Sequence, residues 1–234
     1  MKKIIKSLTV ASVLLLSINA NAQFKLGVQG GVNITSPTVS GLTKAENVSK
    51  PFFGIIAQID LGGLYFRPSL NYLQNQANTV TTATIPAGSL PGSIAQLQTT
   101  TITRSVKNVE IPLDLVLPIK LKSGNKFLIS IAPTVTVGFK GNQNRSVSTT
   151  AAITGGSATT TTTSSNLTFG NNNNPLEIKG VDWGSRFGLG YAFKGGLQLN
   201  AAYKLGFTDT DNNPNTTTKT NNVIVTLAYF LFKK

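Results

Sequence analysis

Residues 180–191 read GVDWGSRFGLGY. The even positions carry Gly180, Asp182, Gly184, Arg186, Gly188 and Gly190, and the odd positions carry Val181, Trp183, Ser185, Phe187, Leu189 and Tyr191. A phosphate loop would need Gly-Lys-Ser/Thr before a helix, or a G-x-G-x-x-G turn inside a βαβ unit, and neither context is present. A period of two is instead the repeat of a β-strand, whose side chains alternate between two faces. One face here is apolar and aromatic. The other is glycine with one acid and one base.

The same alternation recurs along the chain. Phe24, Leu26, Val28, Val32 and Ile34 oppose Lys25, Gln29 and Asn33; Phe53, Ile55, Ala57, Ile59 and Leu61 oppose Gly54, Gln58 and Asp60. Leu64, Phe66, Pro68, Leu70 and Tyr72 oppose Tyr65, Arg67, Ser69 and Asn71. Val109, Ile111, Leu113, Leu115 and Leu117 oppose Asn108, Glu110, Pro112 and Asp114. Phe127, Ile129, Ile131, Val135, Val137 and Phe139 oppose Ser130, Ala132, Thr134, Thr136 and Gly138. Leu197, Leu199, Ala201, Tyr203, Leu205 and Phe207 oppose Gln198, Asn200, Ala202, Lys204 and Gly206. In the last segment, 221–232, the favoured apolar face is Val223, Val225, Leu227 and Tyr229, while Phe230 and Phe232 argue for the other register near its end.

With the opening stretch these make eight segments of about ten residues, the ~9–11 that a tilted strand needs to cross a bilayer. Short connections (62–63, 118–126 and 192–196) alternate with long ones near 35–52, 74–106, 140–178 and 208–220. Short turns at one end and long loops at the other are the layout of an outer-membrane barrel. Phe24, Phe53, Tyr72, Phe127, Phe139, Tyr191, Phe207 and Tyr229 fall near strand ends, where a lipid-facing aromatic girdle belongs. The fold read from this pattern is all-β: an eight-stranded antiparallel up-and-down transmembrane β-barrel. The Thr/Ser/Asn-rich loops have the composition of disordered tracts. Residues 78–85 and 96–103 nevertheless have high β-propensity and are expected to extend two strands as a hairpin; 143–154 and 158–169 are candidates for the same.

An eight-stranded barrel has room inside for side chains only. Lys25, Arg67, Lys107, Arg186 and Lys204 are assigned to the lumen with Asp60, Glu110, Asp114 and Asp182, as a charge network. Buried charges persist when paired and hydrogen-bonded. Paired carboxylates also suit glycoside hydrolysis, but so narrow a lumen leaves little space for substrate.

The N-terminus supplies the address. Lys2, Lys3 and Lys6 precede an apolar run, Leu8–Ile18, and a small-x-small site at Ala20-Asn21-Ala22, the features of a cleaved signal peptide over residues 1–22. Residues 23–234 then form one barrel domain in the outer membrane. The chain has 234 residues, a formal net charge of +13, no cysteine and no histidine. Zero histidine removes the Ser-His-Asp, Cys-His and histidine-metal constellations. No enzyme activity and no cofactor are expected. Export and dispersed basic residues argue against nucleic acid. Asp209 and Asp211 in TDTDNNPN could hold calcium, but the glycine and distal glutamate of an EF-hand loop are missing. Lys120, Lys122, Lys126, Lys194, Lys233 and Lys234 gather at the short-turn end, as anionic-lipid contacts or as solvated turn residues.

Taken in order, KLGVQGGVNI (25–34), RPSLNY (67–72), NVEIPLDL (108–115), ISIAPTVTVGF (129–139), DWGSRFGLGYAF (182–193) and LNAAYKLGFTD (199–209), with a closing strand, resemble the PorT-like outer-membrane β-barrel family. Ser69 stands where that family often has glutamate, and Lys233-Lys234 replace its terminal aromatic residue. The resemblance implies a monomeric barrel inserted in outer-membrane lipid by the barrel assembly machinery. It also implies either a surface protein that meets an extracellular ligand or an accessory part of a secretion system. The function expected is a surface-exposed structural or interaction protein with a closed lumen. The alternatives are a narrow channel or secretion subunit, and a soluble lipocalin-like carrier, which would need an apolar lumen.

Overall fold

The computed structural model describes residues 24–39, 45–87, 94–151, 157–170, 176–212 and 217–233. The expected signal peptide, residues 1–22, lies outside them. Among the described residues all regular structure is β: β1 (Phe24–Val39), β2 (Ala45–Glu46), β3 (Val48–Asp60), β4 (Tyr65–Ile85), β5 (Gln96–Lys120), β6 (Lys126–Ala151), β7 (Ala158–Phe169), β8 (Glu177–Ile178), β9 (Val181–Ala192), β10 (Leu197–Gly206) and β11 (Thr218–Lys233).

Eight of these close a ring. Antiparallel pairing runs β1–β3–β4–β5–β6–β9–β10–β11 and returns to β1, where Gly27 to Val39 meet Phe230 to Thr218. In hydrocarbon a sheet edge has no water to satisfy it, so only a closed sheet is viable. Within the ring, successive strands are neighbours, the up-and-down order. β2, β7 and β8 lie outside it. Three tight turns, at 61–64, 121–125 and 193–196, sit at the end that also holds both termini of the ring. Gly62 and Gly124 adopt φ of 79° in two of these turns, a conformation that a Cβ disfavours.

The burial pattern is inverted relative to a soluble protein. Ile55, Leu70, Ile131, Leu189 and Leu227 are exposed on the outside, while Gln58, Asn71, Thr134, Asp182 and Lys204 are buried inside. On β9 the opening stretch follows this alternation: Trp183, Phe187 and Leu189 point out, and Asp182, Gly184 and Arg186 point in. The last strand keeps the Val223–Tyr229 register through Leu231, so Phe230 turns into the lumen, only 2% exposed. A bulge between Leu26 and Gly27 absorbs the irregularity at that end. The glycines mark tight approach. A Cβ on Gly31 would lie 1.9 Å from the Val225 carbonyl oxygen, and one on Gly184 would lie 2.5 Å from that of Leu205.

The girdle residues divide between two rims. Phe53 stacks on Tyr72 at 5.1 Å, and Tyr72 meets Phe139 at 6.1 Å, nearer the long-loop end. Phe127 and Tyr191 are register partners beside the tight turns, with Phe24 and Tyr229 at the same end. Phe207 caps the upper end of β10 and is exposed.

Strands β4, β5 and β6 have 21, 25 and 26 residues, more than twice the length a bilayer crossing needs. Their upper halves stay paired as far as Ile85↔Gln96 and Gln96↔Ala151, and β7 joins β6 from Gly141↔Leu167 to Thr150↔Ala158. β6 thus pairs with β9 in its lower half and with β7 above. A four-stranded sheet, β4-β5-β6-β7, rises out of the apolar band.

Two outcomes follow. The folded protein should migrate faster on a gel unheated than boiled, and remaining soluble without detergent would contradict the barrel. Gly31→Ala should lower stability by ~1–3 kcal/mol, because the sheet must shift to admit the methyl. Gly195→Ala, with open space at its Cβ, should be silent in the same urea titration.

Candidate functional site

Alternation delivers polar side chains to the lumen, and strand register decides which of them meet. Arg67 on β4 is register partner to Asp114 on β5, Lys204 on β10 to Arg186 on β9, and Thr136 on β6 to both Glu110 and Asp182. The charged groups therefore gather at mid-barrel, though they come from four strands.

Lys204 is the hub. Its ammonium, fully buried, lies 3.2 Å from Glu110 Oε2 and 3.2 Å from Asp182 Oδ2, and donates to Thr136 Oγ1 at 2.6 Å. Arg186 donates through Nη2 to Asp114 Oδ2, and its Nη1 lies 3.8 Å from Glu110 Oε1. Arg67 donates from Nε to Gln58 Oε1 at 2.8 Å and stacks 5.5 Å from the Tyr65 ring. Arg67, Arg186 and Lys204 thus face Glu110, Asp114 and Asp182, three charges of each sign, all buried. Neutrality matters because an uncompensated ion at this depth costs several kcal/mol.

Of the residues assigned to the lumen from the sequence, one is turned outward and two stand at the rim. Lys107 is exposed, a correction: it shares the parity of Val109 and Ile111, which point outward, and lies opposite Lys140 at the bulge before Asn108. Asp60 sits at the lower rim of β3, where its Oδ1 accepts the Gly62 amide at 2.9 Å and closes the tight turn. Lys25 is half-buried at the same rim. The missed members are neutral. Gln58 accepts from Arg67, and Thr136 bridges Lys204 and Glu110. Above them Asn222 donates to Asn33 Oδ1 at 2.6 Å and to Asn75 Oδ1 at 3.1 Å. Their sequence signal was buried-face parity alone, which does not say which partner each one finds.

The cluster is tightly filled. The cavity beside Arg67, Asp114 and Arg186 measures about 30 Å3, room for about two waters. Apolar residues flank it: Tyr65, Val116, Leu128 and Ala192 toward the tight turns, and Phe52, Leu73 and Ile224 toward the long loops. This lumen is not the apolar cup that a lipocalin-like carrier would need. At the upper mouth Arg104 pairs with Asp211 at 3.4 Å and donates from Nε to Gln143 at 2.8 Å. Asp209 Oδ1 accepts the Asp211 and Thr218 amides at 3.2 and 2.8 Å, so both carboxylates of the TDTD turn have protein partners. Among the described residues no group of three or more His, Cys, Asp or Glu side chains is arranged to hold a metal ion.

A family model described as "Outer membrane protein beta-barrel domain" matches residues 18–212. No curated protein matches the chain significantly. Among solved structures, Neisserial surface protein A aligns over 87% of this chain and 96% of its own, at 13% identity and a TM-score of 0.37. The attachment invasion locus protein Ail of Yersinia pestis, solved in complex with the heparin analogue sucrose octasulfate, aligns over 90% of this chain and 100% of its own, at 9% identity and a TM-score of 0.34. The CymD monoaromatic hydrocarbon channel aligns over 88% of each chain at 8% identity and a TM-score of 0.24.

Lys204→Met should cost ~3–5 kcal/mol of stability, because it leaves Glu110 and Asp182 buried without their ammonium. Arg186→Ala should destabilise in the same direction, and Lys107→Ala should stay within ~0.5 kcal/mol, as surface changes do. Equilibrium urea unfolding in detergent measures all three. A silent Lys204→Met would remove Lys204 from the network.

Proposed function

The chain belongs to the outer membrane protein β-barrel domain family, and from that premise we propose that it is a surface-exposed interaction protein of the PorT-like kind whose lumen is closed. A cleaved signal peptide exports it, the barrel assembly machinery inserts it, and it stands in the outer membrane as a monomer. The barrel is the post and the projecting sheet is the working part.

The observation that carries this reading is the sheet β4-β5-β6-β7. Short turns face the periplasm in barrels of this kind, which puts the sheet outside the cell. Its outer strand, β7, begins ATTTTTSSN, and residues 158–166 pair with β6 alone among the described strands. Natural edge strands are guarded by lysine, proline or bulges. This one carries none of these between Ala158 and Asn166. A bare row of backbone donors and acceptors recognises an extended polypeptide by strand addition. The uniform Thr/Ser side chains set no register, so recognition falls mainly on the backbone. The alternative, a narrow channel, would have to pass the buried ion cluster of Arg67, Glu110, Asp114, Asp182, Arg186 and Lys204.

Reconstituted in planar bilayers the protein should give no stable current steps, and regular steps would sink the closed lumen. Replacing residues 78–103 by a short turn should leave heat-modifiable migration intact and weaken capture of an extended polypeptide partner at least tenfold. Lysine at Thr159 and Thr163 should do the same by guarding the edge. Capture unchanged in both variants would place the interaction elsewhere.

A further inference from the structure

The end of the barrel opposite the sheet holds a second feature. A cavity of about 220 Å3 opens at the tight-turn mouth. Three lysines line it, Lys25, Lys126 and Lys194, and among the described residues of its wall there is no aspartate or glutamate. The mid-barrel ions balance one another, three against three, and Asp60 at the same rim accepts the Gly62 amide and does not line the cavity. Clustered ammoniums disfavour one another and favour an anion between them.

Two of these lysines have defined contacts with the wall. Lys126 donates its ammonium proton to the Tyr65 hydroxyl and lies 5.1 Å from the centre of that ring. Lys194 lies across the next turn on Gly124: a Cβ there would be 2.4 Å from Lys194 Cε, and φ at Gly124 is 79°. That turn is tied down, since Asn125 Oδ1 accepts the Lys194 amide at 3.2 Å and Asn125 Nδ2 donates to Tyr191 at 2.9 Å. Lys120 and Lys122, by contrast, do not line the cavity.

A second observation is independent of the lysines. Gln198, 6% exposed, lines the same cavity with a buried Oε1 that has no hydrogen-bond partner among the described residues. A buried polar atom without a partner is costly and points to a ligand group that supplies one. Here the missing group is a donor, such as a hydroxyl. The cavity is smaller than the ~300–1,000 Å3 of sites for drug-sized ligands, so it suits a head group.

We propose that this periplasmic mouth binds a phosphoryl group that carries a hydroxyl. The lysines neutralise its charge, Tyr65 positions Lys126, and Gln198 accepts the hydroxyl. The group can come from a free phosphate or from the head group of an anionic glycerophospholipid of the inner leaflet.

The test uses the full barrel, first in a non-ionic detergent. Inorganic phosphate titrated at constant ionic strength should raise the thermal midpoint saturably, because a ligand that binds only the folded state stabilises it. Lys126→Met with Lys194→Met should weaken that binding at least tenfold. Lys120→Met with Lys122→Met should leave it unchanged. If the first pair fails to fold, Gln198→Leu, which keeps every cation, should still weaken binding several-fold. A second arm compares vesicles of phosphatidylcholine with vesicles containing phosphatidylglycerol. A stabilisation by phosphatidylglycerol that abolishes the phosphate response assigns the site to the lipid head group, and a phosphate response undiminished in those vesicles assigns it to a free anion. The proposal is overturned if neither probe gives a saturable shift. It is equally overturned if the shift survives in the Lys126/Lys194 and Gln198 variants, or disappears in the Lys120/Lys122 variant.

Discussion

The pairing of β1 with β11 is the contact on which the rest depends. It joins the first and last strands of the ring, Gly27 to Val39 against Phe230 to Thr218, and removes the two edges that hydrocarbon would otherwise face. Once the ring is closed, every strand has one face toward lipid and one toward a narrow interior. The apolar face of each strand then has no choice of direction. An arginine turned to the lipid midplane costs ~2–4 kcal/mol, so a one-residue slip of β9 would be resisted by Arg186 alone, before Asp182 is counted.

Closure also explains why the interior is ionic and balanced. A lumen this size cannot be filled by bulky side chains from every strand, as the near-clashes at Gly31 and Gly184 make plain. Long, thin side chains such as Lys204, Arg186 and Arg67 reach across it and fill the centre. Their charges must then cancel at short range, which Glu110, Asp114 and Asp182 achieve from neighbouring strands. Breaking such a set is expensive whatever the net worth of the intact set, because one removal leaves a partner buried and unpaired.

The period of two made the barrel legible, since lipid on one side and charge on the other leave a strong binary signal in strands such as β9 and β10. Six of the nine residues assigned to the lumen meet at its centre. The other three stand apart from that cluster for local reasons. Lys107 was placed against its own parity with Val109, and Asp60 and Lys25 stand at strand ends, where the lumen opens and a turn or rim claims the side chain. The apolar lumen residues Phe52, Ile56, Leu73 and Phe230 were invisible because they share a face with polar neighbours and look like breaks in the pattern. Partner identity was not legible at all. Lys204 meets Glu110 and Asp182 through the registers of β5, β6, β9 and β10, and register is a property of pairs of strands, not of any one of them.

The threonine tract shows how far composition alone misleads. Residues 159–163 read TTTTT, a low-complexity run with the look of a flexible loop. Threonine is also β-branched and favours a pleated strand when a neighbour supplies half of the hydrogen bonds. That neighbour exists because β6 does not stop at the membrane: its residues 141–150 pair with β5 on one side and offer their other edge to β7. The cross-strand hydroxyl contacts of Thr160 with Ser148 and Thr162 with Ser146 follow from that pairing. The order of the outer sheet is therefore inherited from the barrel, strand by strand, and it ends at β7, the first strand with no further neighbour along most of its length. The same property that lets β6 order a threonine run leaves β7 able to order another strand in turn.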